Sequence, residues 1–220
     1  MKKCILAGLF SLSLLCTGCA SYRAASLSAL SPQFVKESEE IPGMSVGCKS
    51  FSASDCVTYL DRDVLKKGYQ PVELTFYNQT DKSYFFSSNQ VSLPCAYSQK
   101  VASSVHTSTA GRVVGYAVAS PVIISTGVLL KSVGLVIWGA YCFVPLTISA
   151  VVDGICSRNS NKRLDKDFQD KAEDHFVIAP YSYRMTLLFI PKEDFSPNFN
   201  VALVEQDTGA SKVLNVTASR

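Results

Sequence analysis

"GYQPVELTFYNQTDKSYFF", residues 68–86, decides the fold. Val72, Leu74 and Phe76 alternate with Glu73, Thr75 and Tyr77, the period of two by which a strand sends successive side chains to opposite faces. "NQTDKS" (78–83) reads as a turn, Tyr84–Phe86 open a second strand, and "QVSL" (90–93) reads as a third, short one. Upstream, "MSVGCKSF" (44–51) is a strand candidate. "SASDCVTYLDRDVLKKG" (52–68) reads as a short helix that Ser52 or Ser54 can cap, with acidic residues before basic ones and Gly68 as a stop. Downstream, "HFVIAPYSYRMTLLFIP" (175–191) has strand composition broken at Ala179-Pro180, and residues 198–218 read as a hairpin turning at Asp207, Thr208 and Gly209. Neither half supplies enough strands to close a core alone. Residues 44–98 and 176–220 are therefore expected to be the two halves of one antiparallel β-sandwich.

The leader places that body. "LSLLCTGCASY" (12–22) ends the one strongly apolar run near the N-terminus, which follows Lys2 and Lys3. Residues 4–15 have the length of a signal-peptide apolar region and are too short to span a bilayer. Thr17-Gly18 leads directly into Cys19, an order that resembles the lipobox of bacterial lipoproteins. That resemblance implies a signal peptide over 1–18, acylation of Cys19, and a lipid-anchored tether over 19–43, which is rich in Ser and Ala and ends in "KESEEIPG". Several buried acyl chains, at about 0.8 kcal/mol per methylene, hold a protein firmly on a membrane.

A second resemblance rests on the strands. "GYQPVELTFYNQTDKSYFF" looks like the opening strands of Ig-like lipoprotein domains with a P-V-x-L-x-x-x-N-x-T signature, and "IAPYSYRMTLLFIP" (178–191) is similar to their later strand pair. "VVDGICSRNSNKRLDKDF" (151–168) resembles a segment that follows paired hydrophobic stretches in uncharacterised bacterial envelope lipoproteins. The resemblance implies a mainly β fold with an α insertion: an Ig-like sandwich interrupted by a hydrophobic helical segment. It brings no catalytic residue with it.

Composition agrees with export. Lys and Arg number 21 against 18 Asp and Glu, a net +3 that falls to +1 once Lys2 and Lys3 leave with the leader. With no clustered basic stripe, nucleic acid is excluded as a partner. Beyond Cys19, the residues Cys48, Cys56, Cys95 and Cys156 are candidates for disulfides in any of three pairings, while Cys142 lies in an apolar run and reads as a buried thiol.

That run, residues 113–152, carries a single charge, Lys131. As one helix it would extend about 60 Å, twice the hydrocarbon thickness of a bilayer. Split at "KSVG", it gives two stretches of crossing length with Lys131 at the turn, so residues 99–157 are expected to hold an apolar helical hairpin of membrane-spanning length. Gly115, Ala119, Gly134 and Gly139 would let its helices approach closely. Two passes also return the chain to the side where it began. Basic residues on the exported side (Arg112, Arg158, Lys162, Arg163) run against the usual positive-inside bias. A hairpin folded against the sandwich, and one that enters a membrane only on assembly, stay open. Residues 158–175 read as a charged amphipathic helix with Leu164, Phe168 and Ala172 on one face.

Chemistry is sparse. His106 and His175 are the only histidines, and no G-x-S-x-G turn, phosphate loop or ligand-spaced metal cluster accompanies them. The expectation is a non-enzymatic lipoprotein of the cell envelope, facing the periplasm from the inner or the outer membrane. It would have no cofactor, no metal and no catalytic residue, and its partners would be membrane lipid and envelope proteins. The alternative is an oligomeric membrane-assembly or pore component that self-associates through the hairpin.

Overall fold

Tyr69–Asn78, the strand of the opening motif, sits inside a sheet in the computed structural model, which describes residues 21–107 and 155–219. The chain divides into two units, one of residues 23–105 and 164–220, the other of residues 1–22 and 106–163. The first is mainly β. One sheet runs in the order β1 (Val35–Glu37), β2 (Met44–Ser50), β3 (Tyr69–Asn78), β6 (Ser182–Pro191). The other runs β5 (His175–Ile178), β4 (Tyr84–Val91), β7 (Asn198–Glu205), β8 (Ser211–Thr217). All of these pairings are antiparallel.

The alternation in β3 sets the core. Val72, Leu74 and Phe76 are fully buried in one cluster with Phe86, Phe176 and Leu203 of the facing sheet. Phe76 and Phe86 approach to 5.2 Å between ring centres, and Phe86 and Phe176 to 4.9 Å. Each such ring contributes roughly 1.5–3 kcal/mol by leaving water. The opposite face of β3 is buried as well: Glu73 and Thr75 have almost no exposure.

The helix over Ala53–Leu60, helical residues 164–171 and residues 23–34 of the same unit cover that outer face. Helix α1 (Ala53–Leu60) opens with a capping box, the Ser52 hydroxyl accepting from Asp55 N and the Asp55 carboxylate accepting from Ser52 N. Asp61, left-handed at φ 50°, ends it, and a 3-10 turn at Leu65–Lys67 closes on Gly68 at φ 83°, where a side chain would be strained. The short helix α2 (Ser98–Ser104) buries Val101 and Ala102. Residues 155–171 are helical (α3), with the unit boundary at 163/164. Leu164 and Phe168 are fully buried, as their spacing predicts, and Phe168 stacks on Phe189 at 5.3 Å and 8°. Lys171 Nζ donates to Tyr59 O, 2.6 Å, joining α3 to α1. In the other unit, Asn161 exchanges two hydrogen bonds with the Thr107 backbone.

Residues 23–34 form the third cover, a docked strap within the stretch 19–43 that the sequence presents as a lipid-anchored tether. Ala25 N donates to Thr58 O, Arg23 N to an Asp61 carboxylate oxygen, and Tyr77 Oη to Leu30 O. Leu30 is buried over Gly47, where an added Cβ would meet Leu30 and Val35 carbons at 3.2–3.3 Å. The Ser/Ala-rich composition concealed a strap because its docking relies on backbone groups and one leucine. A correction concerns "QVSL": Gln90 and Val91 end β4, with a register shift against β7 between Phe86 and Val91. The turns at Ala179-Pro180 and at Asp207–Gly209 fall where the sequence puts them.

The apolar segment 113–152, with Gly115, Ala119, Lys131, Gly134 and Gly139, lies outside the described residues, as does Cys19. Among the described residues no helix is long and apolar enough to cross a membrane.

Asn78 explains why the opening motif ends in N-x-T. Its Nδ2 donates to Lys82 O, 2.7 Å, and to Ala179 O, 2.9 Å, while its Oδ1 accepts from Thr80 N and Oγ1. One side chain thus ties the β3–β4 turn to the β5–β6 turn. Removing it breaks four hydrogen bonds at the junction of two turns, so Asn78→Ala is expected to destabilise the chain by about 1–3 kcal/mol, measured as a shift in the urea midpoint.

Candidate functional site

Two sides of the two-sheet body differ. Along the β5/β6 side the edges are tied: Arg184 faces Glu173 at 3.6 Å and lies 5.5 Å over the Phe176 ring, and Thr186 Oγ1 donates to Glu173 O. Along the β1/β8 side they are not. Strand β1 has three residues, and β8 pairs with β7 alone through residues 211–217. Only beyond its end does Ser219 cross to bond β2 at Cys48 O and Ser50 N.

A notch of about 130 Å³ opens between these edges. Phe34, Val46, Leu214 and Val216 give it apolar walls, while Glu37, Glu39 and Glu40 with Lys36 leave its rim net acidic. It is far smaller than the roughly 300–1,000 Å³ of small-molecule pockets, and about right for one side chain. Asn215 and Thr217 are exposed beside it, as is Val213 at 46 %. An edge strand leaves alternate backbone N–H and C=O groups unpaired, so the arrangement can accept an added strand and seat one of its side chains.

A polar cluster lies under the strap. Lys49 pairs with Asp55 at 2.8 Å, lies 5.9 Å from the Phe34 and Phe51 ring centres, and stands opposite Glu73 in the β2–β3 register. Glu73 Oε1 and Thr75 Oγ1 have no hydrogen-bond partner among the described residues. Burial pushes the Glu73 carboxyl up to about 7; the Lys49 charge opposes the rise and Asp55 adds to it. Burial also raises Asp55, but hydrogen bonds from Lys49 and Ser52 prevail and hold it below the usual carboxylate range.

Of the candidate disulfide residues, Cys48, Cys56 and Cys95 are free thiols, and Cys156 lies on α3 in the other unit. Cys48 belongs to the core between the sheets, whereas Cys56 is buried on α1 and Cys95 follows β4 in a loop. Burial pushes the Cys48 thiol up to about 12 and those of Cys56 and Cys95 to about 11. They stay protonated at neutral pH and are poor nucleophiles. His175 begins β5 and His106 belongs to the other unit. No cluster of potential metal ligands occurs among the described residues. Sequence reasoning missed both the β1/β8 notch and the Glu73 cluster; the lone glutamate in an apolar strand, with Lys49 one strand away, was the available signal for the second.

Comparison with known proteins adds no relative: no family model, no curated protein and no solved structure matches the chain.

Two outcomes follow. Glu73 is protonated in both states below its ordinary value of 4.5. As pH rises from there to about 7, the unfolded chain ionises while the folded one does not, so stability falls, by up to about 3 kcal/mol, and then levels off. Glu73→Gln should flatten urea midpoints across pH 5–7.5. Separately, unfolding without reductant in the presence of an alkylating reagent should modify Cys48, Cys56 and Cys95, read by mass, while the native chain reacts slowly at Cys48 and Cys56.

Proposed function

We propose that the protein is a Cys19-acylated lipoprotein of the cell envelope whose exported β body is an Ig-like sandwich and acts as a non-enzymatic interaction module. Strand order supports the Ig-like reading. The sheet β2–β3–β6 faces β5–β4–β7–β8, the arrangement in which A, B and E oppose a four-stranded sheet built on C, F and G, with β1 an added edge. The leader ending in Thr17-Gly18-Cys19 supports acylation, and the resemblance of the strand motifs to uncharacterised envelope lipoproteins points the same way.

The observation that carries the interaction role is the untied β1/β8 side. An extended, basic segment of an envelope protein would add to β8, place an apolar side chain between Phe34 and Val216, and meet Glu37, Glu39 and Glu40 at the rim. The protonated thiols supply no activated nucleophile to compete with this reading. The apolar residues 113–152 add a second hold on the membrane.

Growth with labelled fatty acid, followed by membrane fractionation, tests the anchor. Label is expected in the wild-type chain and none in Cys19→Ser, while a chain lacking 113–152 keeps both label and membrane association. For the edge, Glu37, Glu39 and Glu40 changed together to Lys should weaken binding of extended basic peptides by about tenfold or more without lowering the urea midpoint. Equal binding of acidic and basic peptides would refute the edge reading.

A further inference from the structure

The chain leaving Cys19 enters the body at one place. Arg23 N donates to Asp61 Oδ2 at 3.0 Å and Ala25 N to Thr58 O at 2.8 Å, at the C-terminal end of α1. Four residues of extended chain reach at most about 14 Å, so an acyl group on Cys19 leaves that end of the body little distance from the bilayer. A mobile tether would have left the orientation free; a docked strap does not.

The same end carries an unusual surface. Six residues after Asp61, Lys67 begins the wall of an open groove of about 780 Å³, which Lys100, Lys192, Tyr69 and Tyr97 also line, against a single acid, Glu193. Lys192 N donates to Gly68 O, and Ala96 N to Phe189 O, so backbone bonds fix the walls. It lies where β2 ends, β3 begins and β6 ends, with Val72 opposite Ser50 and Tyr69 opposite Pro191. None of the three lysines is ion-paired among the described residues, in contrast to Lys49, Lys82 and Lys171. Tyr97 is 72 % exposed, the amphipathic kind of ring that favours a headgroup layer. The far end of the same sheet, where β6 starts, also exposes Tyr181 (75 %) and Tyr183 (55 %), but Lys82 there is paired with Glu205 at 2.7 Å. The groove end thus gathers three lysines without an ion pair among the described residues, and its wall begins six residues of chain from Asp61, where the strap docks.

We propose that the face bearing Lys67, Tyr97, Lys100 and Lys192 lies against the bilayer that holds Cys19, its lysines on anionic phospholipid headgroups and Tyr97 in the interface. The proposal rests on acylation at Cys19 and adds what that reading lacks, a defined orientation. It also turns the far end, with Tyr181 and Tyr183, away from the lipid.

The test uses the full chain, purified from membranes and reconstituted in vesicles of phosphatidylglycerol and phosphatidylethanolamine, with a benzophenone amino acid replacing either Tyr97 or Tyr181. Illumination should give lipid adducts at position 97 at least about fivefold above those at 181. Changing Lys67, Lys100 and Lys192 together to Glu should abolish that excess, as should replacing phosphatidylglycerol with phosphatidylcholine. Equal yields at the two positions overturn the proposal, and so does an excess at 97 indifferent to both changes. Should the triple variant fail to fold, the lipid substitution decides. Mass analysis of the N-terminal peptide on the same samples separates the two readings. An acylated chain with no preference for 97 overturns the orientation alone, whereas an unacylated chain overturns the anchor, with the yield ratio still deciding whether this face meets lipid.

Discussion

A strand buried on both faces governs this structure. Most antiparallel strands with an alternating pattern send one face to the core and the other to water. In β3 the second face, marked by Glu73, Thr75 and Tyr77, is covered by the strap, α1 and α3 instead. The result is one core between the sheets, built on Phe76 and Phe86, and a second layer outside them, built on Leu60, Leu164, Phe168 and Phe189. Glu73 is what that second layer costs: a carboxyl that would be solvated on a half-exposed strand is enclosed with an oxygen unpartnered among the described residues.

The strands were legible because their chemistry is local. Alternation in 72–77, the break at Ala179-Pro180 and the Asp207–Gly209 turn each depend on residues within a few positions, and the structure puts strand boundaries at all three. Leu164, Phe168 and Ala172 were legible for the same reason, through helical spacing. What was hidden depends on partners distant in the chain. The strap has no apolar period and is held by Thr58, Asp61 and Tyr77, 33 to 47 positions away. The burial of Glu73 follows from the strap, and so was equally unreadable.

On the proposed acylation of Cys19, a docked strap would change how the body is held. A flexible linker of 25 residues would let the body search a volume some 25–30 Å across, at about 5–6 Å per square root of residue number, and would present every face to partners in turn. A strap fixed from Arg23 removes that freedom and, on the proposed anchor, would give each edge of the body a standing relation to the surface beneath it. Specificity then no longer has to come from the notch alone. A partner must offer a suitable strand, and must offer it at the height and angle at which β8 is held.

That geometry also accounts for the asymmetry of the sheet edges. Open edges invite association with any extended chain, and proteins usually blunt them with charge, short strands or covering segments. Here the β5/β6 side is tied by Glu173 and Arg184, β1 is only three residues long, and three glutamates stand over the β1/β8 notch. A second copy of the body would bring the same acidic rim to an acidic rim, which disfavours self-pairing at β8 while leaving it open to a basic segment. On the proposed function, acidic residues at this edge would therefore act twice, discouraging association of like molecules held on one membrane and favouring a partner of opposite charge.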